Sequence, residues 1–286
     1  FFLLPVGVRR NGKDFVFEES KFDWISKLKA IWRWGLSPLR LKKIVGATVQ
    51  QFEQVYQGKD FHSLDEFLEM LGLTEHIHVP LNEWLETRGV GKRFVEELVA
   101  GILRWNYNSN TSIQAFAGLV GLAGSGSSIR SIAGGNAQLS SFLLDNATRS
   151  RVLHKHNVTL LNGTSVNSNG TLRHFDAVII ACPLSQTLAS GFGLESYAYR
   201  PVYVTLVVGL VDPRYFGRSL QPDSIPTTIA TTDNPAIPFF SLARLKTLTS
   251  TSKNRFGGTN LYKLFSAKEL SDDFLRGLFI VVEQVE

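Results

Sequence analysis

The spacing of apolar residues changes once along this chain, and that change restricts the possible folds more than any other feature. From Phe22 to about Gly126 apolar residues recur at intervals of three and four, which predicts a mostly helical region. After Gly134-Gly135, short β-branched runs separated by Asn-Gly and Ser/Asn turns predict strands. The sequence therefore predicts an α/β chain with an apolar strand remnant at 1–21, a mostly helical region at 22–128 and a sheet-rich remainder at 129–286.

Turn and capping residues mark several helix boundaries. One helix is predicted from near Lys42 to a stop at Gly58. Another begins at Ser63, where Glu66 completes a capping box, and ends at Gly72. Further helices are predicted at 92–105, 113–120 and 138–150, and strands at 158–161, 175–181, 202–211 and 261–265.

Composition and charge exclude several classes of protein. The chain has 286 residues of which 44% are hydrophobic, enough for a substantial core. It contains no run of about eighteen apolar residues, so no helix is predicted to span a bilayer. The net charge is +5, but the basic residues are not gathered on an aromatic sheet or a reading helix, so no nucleic-acid partner is predicted. A single cysteine, Cys182, rules out an internal disulfide framework.

The compartment is indicated by acceptor triplets for N-linked glycans. Such Asn-X-Ser/Thr triplets are meaningful only in a chain that enters the secretory pathway. Their abundance favours a lumenal location, in the secretory pathway, a lysosome or a vacuole, over coincidence in a Ser/Thr/Asn-rich chain. The acceptor asparagines are Asn110, Asn146, Asn157, Asn162 and Asn169.

Two motifs are candidates for contact with a ligand. Residues 175–183 read as an acidic residue, an apolar strand and a tight turn at Ala181-Cys182-Pro183. The pair Gly134-Gly135, followed by Asn136, allows backbone to approach a ligand that a β-carbon would exclude. The alternatives are an ordinary buried strand and an ordinary turn. Cys182, at the end of the strand, is predicted to be a packed side chain and not a nucleophile.

The order and spacing of several stretches resemble the prenylcysteine oxidase family. These stretches are 92–98, 106–107, 115–118, 134–136 and 231–234, and the resemblance covers roughly residues 10–270. The strand and turn at 175–183 are similar to a late strand of flavin amine oxidase-like enzymes, where the backbone comes close to FAD. By this resemblance the expected cofactor contacts are Gly134, Gly135, Asn136, Ala181, Cys182 and Pro183.

The resemblance implies a fold, a cofactor and a reaction. The fold would be the FAD-binding glutathione-reductase type with a largely helical substrate region, incomplete in this chain. The substrate would be farnesylcysteine or geranylgeranylcysteine, whose thioether is cleaved to prenyl aldehyde, free cysteine and hydrogen peroxide. The flavin would carry the oxidation, and the protein would supply an apolar site for the lipid. No catalytic base is singled out.

Two parts of the family pattern are not found in these residues: the N-terminal FAD-binding fingerprint, and the C-terminal segment, expected beyond Glu286, that closes over the flavin. No Gly-x-Gly-x-x-Gly turn between a strand and a helix precedes Phe22. The stretch Gly124-Ser125-Gly126 follows a helical pattern and has Ile129 where the third glycine belongs. The 286 residues alone are therefore expected to bind a farnesyl ligand but not to retain FAD.

Residues 21–36 form a basic, aromatic amphipathic helix. Trp24, Leu28 and Trp32 share its apolar side with Ile25 and Ile31, and lysines occupy the other side. Such a helix either lies in a lipid interface, as a peripheral membrane contact, or packs as a lid on the substrate region.

His76 and His78 alternate as in some metal sites, but no third ligand stands at a recognisable spacing. No metal site is therefore predicted, and both histidines are expected on the surface or in a loop.

Two rival functions stay open at this level. The first is a truncated, non-catalytic member of the family that keeps the lipid pocket as a binding or assembly subunit. The second is a related flavin oxidase that acts on amines or other apolar substrates, since the strand and glycine motifs are shared across that superfamily.

Overall fold

The fold was analysed in a computed structural model, which describes residues 6–9, 15–18, 23–58, 60–124, 130–146, 158–162, 164–180, 199–219, 225–248 and 259–285. The chain divides into two compact units. Unit 1 comprises residues 1–129 and 201–286, and unit 2 comprises residues 130–200. Unit 1 therefore combines the helical block with the C-terminal strands.

The N-terminal half of unit 1 is helical. Its helices are α1 (Asp23–Trp34), α2 (Ser37–Glu53), α3 (Leu64–Met70), α4 (Thr74–His78), α5 (Leu81–Thr87), α6 (Lys92–Phe94), α7 (Ala100–Tyr107) and α8 (Ala115–Ala123). A 3-10 turn at Gln54–Gln57 extends α2, and a π-helical turn at Val95–Val99 joins α6 to α7. Within the described ranges, none of these helices is both long and apolar enough to cross a membrane.

Local signals account for the helix ends. The Ser63 side chain accepts a hydrogen bond from the Glu66 N–H at 3.1 Å, which confirms the predicted cap of α3. Gly58 ends the extension of α2 with a φ of 72°, the left-handed conformation that glycine adopts at low cost. Pro38 stands in the first turn of α2, which does not need the N–H that proline lacks.

Seven strands from the described part of unit 1 form one sheet. They are β1 (Val6–Arg9), β2 (Phe15–Glu18), β6 (Tyr203–Val211), β7 (Thr228–Thr231), β8 (Ser241–Thr247), β9 (Asn260–Ser266) and β10 (Phe279–Val285). The order across the sheet is β10-β6-β9-β8-β7-β1-β2. The pairing is antiparallel except between β1 and β7, which are parallel. A helix α10 (Asp272–Leu278) precedes β10.

Two large apolar cores and two smaller clusters stabilise the described part of unit 1. The first core lies among the helices and the second lies against the sheet. Leu98 of the continuous helix 92–107 packs against the first core and, with Trp105, also against the buried Ala230 of β7. The first core centres on Leu41, Leu81, Trp84, Leu85, Phe94, Leu103 and Leu119, and the second on Val207, Phe216, Ile229, Phe239, Leu242, Leu264 and Leu278.

Unit 2 contains a helix and a small sheet. The helix is α9 (Ala137–Asn146), and the antiparallel sheet joins β3 (Val158–Asn162), β4 (Ser165–Ser168) and β5 (Thr171–His174). The prediction of a buried strand at 175–181 is wrong for residues 175–180, which lie outside any strand, with Ile179 92% exposed. The physical reason is that the sheet ends at β5, and no strand described in unit 2 lies beyond it to pair with this run.

Candidate functional site

A polar cleft of about 750 Å³ lies in unit 1 between the helix 92–107 and the loop that follows β7. Residues 93–100 contribute one wall, residues 232–235 contribute the other, and Thr111 joins from the loop after α7. The lining carries both signs of charge, since Arg93 faces the cleft together with Glu96, Glu97 and Asp233. The cleft is therefore suited to a polar ligand with both a negative and a positive group.

The π-helical turn supplies the acidic wall. In this turn the Ala100 N–H donates to the Val95 carbonyl, one residue further back than in an α-helix. The extra residue places Glu96 and Glu97 together on the cleft, with Glu96 largely exposed and Glu97 buried. Single π-helical turns inside α-helices are frequent at functional sites.

Glu97 is fixed by donors from three residues. Its carboxylate accepts from Arg33 at 2.7 and 2.8 Å, from the Trp34 indole N–H at 2.8 Å and from Arg93 at 3.2 Å. Burial by itself would raise the pKa of Glu97, but the hydrogen bonds from Arg33, Trp34 and Arg93 outweigh it and hold the pKa below its ordinary value. Glu97 therefore acts as a buried anchor that orients Arg93 at the cleft.

Arg104 anchors the opposite wall. Its guanidinium donates to the Thr231 hydroxyl at 2.9 Å and to the Asp233 carboxylate at 3.1 Å, and it lies 4.7 Å from the centre of the Phe240 ring. Burial lowers the pKa of Arg104, and the charge of Asp233 opposes this shift. The Arg104 side chain is 8% exposed and that of Asp233 is 53% exposed, so the pair runs from the interior to the cleft.

Sequence reasoning identified the stretches that form both walls of the cleft, but it did not predict that they are in contact. The stretches 92–98 and 231–234 were among those that carry the family resemblance, and the structure brings them to one cleft. Neither Glu97 nor Arg104 was singled out by sequence reasoning. The signal that could have found Arg104 is an arginine placed directly after the apolar run Ile102-Leu103 of a predicted helix.

The predicted cofactor contacts fall in two places. Gly134 and Gly135 have φ angles of 86° and 107°, and a β-carbon at Gly135 would meet no atom within 4 Å. The backbone there is open to a close approach. The neighbouring polar groups bond within the turn, since the Gly135 N–H donates to the Ile132 carbonyl and the Asn136 side chain accepts from the Ile132 N–H. The other predicted contacts, Ala181, Cys182 and Pro183, lie outside the described residues.

These residues do not form a phosphate site for FAD. A dinucleotide pyrophosphate needs several N–H donors directed at it, usually from a helix N-terminus. In the turn at 134–136, as far as the structure describes it, the Gly135 N–H is already committed to Ile132, and the Gln138 amide fills the space beside Gly134. The turn offers an approach to a flat ligand but no cradle for its phosphates.

We predict that Gly135→Val lowers flavin retention by the full-length protein and lowers its Tm. A β-branched residue at a φ of 107° costs about 1–3 kcal/mol, and its side chain occupies the open face. The matched control is Gly46→Ala in α2, where the added carbon meets nothing and stability rises by up to about 1 kcal/mol. Flavin absorbance after gel filtration measures retention. A lower Tm with full retention would show that the pair is only a turn.

The predicted glycan acceptors differ in position. Asn169 lies exposed in the turn between β4 and β5, and Asn146 lies exposed at the end of α9. Asn110 is exposed in unit 1, next to the cleft residue Thr111. Asn162 ends β3, and Asn157 lies outside the described residues. Asn169 lies in a surface turn, the kind of position where glycans are commonly attached.

His76 does not lie on the surface as expected. It belongs to α4, is 6% exposed and packs against Trp84, with ring centres 4.6 Å apart and ring planes tilted by 42°. Burial lowers its pKa, and the nearby Arg88 adds to this effect. The surface prediction failed because α4 turns this side chain towards the apolar core, whereas His78 is exposed. Among the described residues, no cluster of three or more His, Cys, Asp or Glu side chains could hold a metal ion.

Comparison with known proteins identifies the family. The sequence profile of prenylcysteine lyase matches residues 17–286. The chain is 28% identical over 280 residues to farnesylcysteine lyase of Arabidopsis thaliana, a match that covers 94% of this chain and 54% of that protein. It is 30% identical over 253 residues to prenylcysteine oxidase 1-like of Bos taurus, which covers 79% of this chain and 51% of that protein.

Two further matches extend this comparison. The chain is 27% identical over 308 residues to human prenylcysteine oxidase 1, with 94% of this chain and 60% of that protein covered. A crystal structure provisionally named protoporphyrinogen oxidase, from Exiguobacterium sp. 255-15, aligns at a TM-score of 0.45 and 15% identity over 73% of this chain and 53% of that one. That structural similarity is too distant to define the fold. The chain spans between half and three-fifths of the length of these curated relatives, and by the match over residues 17–286 it belongs to the prenylcysteine lyase family.

Proposed function

We propose that the protein to which these residues belong is an FAD-dependent enzyme that cleaves the thioether of prenylcysteines. In the overall reaction farnesylcysteine, dioxygen and water give farnesal, cysteine and hydrogen peroxide, so that the carbon next to sulfur is oxidised and dioxygen is reduced. The proposed fold of the complete protein is of the glutathione-reductase type. The bound flavin supplies the two-electron oxidation.

One observation carries this proposal. The stretches 92–98 and 231–234, which both carry the family resemblance, meet at one cleft, and Arg104, on the same continuous helix as the first stretch, bonds to Thr231 and Asp233 of the second. Residues that lie about 130 positions apart and meet at a charged cleft are typical of a binding site. The family match covers both stretches.

We assign the cleft to the amino-acid end of the substrate. That end is a zwitterion, and a cleft that presents Arg93 beside Glu96 and Asp233 matches its two charges. Arg93 is 59% exposed and is oriented by its hydrogen bond to Glu97. In the described structure its terminal N–H groups have no protein acceptor, so they are available to a carboxylate.

The location proposed for the protein is the lumen of the secretory pathway, a lysosome or a vacuole. Its support is the set of acceptor triplets, of whose asparagines Asn110, Asn146 and Asn169 are exposed. We propose that at least one of Asn146, Asn157, Asn162 and Asn169 carries a glycan.

The function is tested with the purified full-length protein and farnesylcysteine. Equal amounts of aldehyde, free thiol and hydrogen peroxide are expected. Tight binding of farnesylcysteine without turnover would instead show a binding subunit. Peroxide from simple amines but not from farnesylcysteine would show an amine-type oxidase.

We predict that Arg93→Gln raises the KM for farnesylcysteine about 10- to 100-fold with little change in kcat, because a charge-assisted hydrogen bond to the substrate carboxylate is lost. For farnesylcysteine methyl ester, which has no carboxylate, the same variant leaves KM unchanged. Arg276→Gln, at an exposed position on α10, is the control. An equal rise in KM for acid and ester would contradict the assignment of Arg93.

A further inference from the structure

The amphipathic helix α1 turns its apolar side to the exterior. Trp24, Leu28, Ile31 and Trp32 are 63%, 57%, 45% and 88% exposed. They are spaced by four, three and one residues, so they form a single stripe along the helix. Leu36 and Leu39, at 55% and 45% exposure, continue the apolar surface towards α2. We call these six residues the α1 surface.

The opposite side of α1 holds the helix on unit 1. Trp34 is buried between Phe17 and Phe94, at ring distances of 4.7 and 5.3 Å. Ala30 is buried beside it, and Arg33 forms the ion pair with Glu97. These contacts fix the rotation of the helix about its axis. The outward position of the α1 surface is therefore built into the packing.

Between Asp23 and Glu53 the sequence carries charges of one sign only. From Trp24 to Phe52 the sequence contains six basic residues and no acidic residue. Arg33 is neutralised by Glu97, and Arg40 donates to the Gly89 carbonyl. Lys29, Lys42 and Lys43 are exposed, and Lys27 is half-buried. Lys27, Lys29, Lys42 and Lys43 thus give a positively charged rim to an apolar stripe that contains two tryptophans.

We propose that the α1 surface docks on an anionic phospholipid bilayer, with α1 in the plane of the interface. Apolar residues that include tryptophan enter the headgroup boundary, and lysines contact the anionic headgroups. A contiguous group of exposed apolar side chains that includes two tryptophans indicates an interaction site. A second copy of the chain is a poorer occupant, because it would bring two positively charged rims together. The proposal stands independently of the catalysed reaction.

The test is flotation of the purified full-length protein with vesicles of phosphatidylcholine alone and with vesicles of phosphatidylcholine and phosphatidylserine in equal parts. Binding to the second kind of vesicle, and its loss at high salt, are expected. Trp24→Gln and Trp32→Gln should each weaken this binding about tenfold. Lys29→Gln and Lys43→Gln should each weaken it about fivefold.

The matched controls lie elsewhere on unit 1. Ile280→Gln removes an exposed apolar side chain from β10, which is at the edge of the sheet opposite β2, the strand whose Phe17 contacts α1. Lys246→Gln removes an exposed lysine from β8. Both controls should bind vesicles as the parent does. Unchanged circular dichroism of the tryptophan variants shows that they fold.

Three outcomes would overturn the proposal. The first is equal binding to both kinds of vesicle, because it removes the role of the lysines. The second is vesicle binding that persists in the Trp24→Gln and Trp32→Gln double variant. The third is concentration-dependent dimerisation through these tryptophans without vesicle binding, which would assign the α1 surface to a second copy.

Discussion

Glu97→Ala should lower the free energy of unfolding by about 3 kcal/mol, because it leaves the Arg33 guanidinium and the Trp34 indole N–H without their acceptor. Removal of one partner from a buried ion pair typically costs 3–5 kcal/mol. The lower end of that range applies, since the Arg33 side chain keeps some access to water at 21% exposure. Urea unfolding followed by tryptophan fluorescence measures the change, and all five tryptophans lie in unit 1.

The adjacent residue provides the control. Glu96→Ala removes a carboxylate whose ion pair, with Lys92 at 3.9 Å, is exposed on both sides. Its expected cost is below about 0.5 kcal/mol. Similar costs for the two variants would contradict the view of Glu97 as a buried anchor.

The Glu97 anchor also gives a pH dependence. Because the folded-state pKa lies below the ordinary value of 4.5, the stabilisation is present above that value and is lost as the pH falls through the lower folded-state pKa. Glu97→Gln keeps one acceptor oxygen but cannot titrate. The free energy of unfolding of this variant should therefore fall less steeply as the pH is lowered through this range. If the free energy of unfolding of Glu97→Gln falls with acid as steeply as that of the parent, other carboxylates dominate the acid dependence.

Arg104→Met should destabilise unit 1 by about 3 kcal/mol, since two charge-assisted hydrogen bonds that join α7 to β7 and to the following loop are lost. Methionine keeps the apolar stem of the side chain. Asp233 then loses the contact that holds it at the cleft, so kcat/KM for farnesylcysteine should also fall. Urea unfolding and steady-state kinetics measure the two effects.

Arg214→Met is the matched control. Arg214 is 64% exposed and pairs with Asp212, two residues away, so its removal should leave the free energy of unfolding essentially unchanged. The double-mutant cycle of Arg104→Met with Asp233→Ala isolates the interaction energy between the Arg104 and Asp233 side chains. Additive effects in this cycle would show that Arg104 and Asp233 act separately.

Sequence reasoning was most successful where the signal is local. The cap at Ser63 and the stop at Gly58 depend on neighbouring residues, and both lie where they were predicted. Strands β7 and β8 were not predicted, since β7 has only four residues and β8 alternates poorly. Their pairing depends on partners elsewhere in the chain. The π-helical turn at Val95–Val99 has no local signature either.

The candidate site shows the same division. The stretches that line the cleft were recognisable by their resemblance to the family, whereas the contact between Arg104 and Asp233 depends on how α7 packs on β7. The amphipathic character of α1 was visible in the sequence. The side of α1 that packs on unit 1 is fixed by Trp34 and Arg33. Their partners Phe94 and Glu97 lie more than fifty residues away in the sequence.

The parallel pairing of β1 with β7 has a consequence for synthesis on the ribosome. The end of β1 and the start of β7 lie about 220 residues apart, with unit 2 between them. At a synthesis rate of about 5–20 residues per second, β7 is made on the order of ten to forty seconds after β1. During that time the edge of β1 that will pair with β7 is exposed to pairing with other chains. The Arg104 side chain also lacks its ion-pair partner Asp233. Nascent chains of this protein should therefore depend on chaperones until residue 233 leaves the exit tunnel.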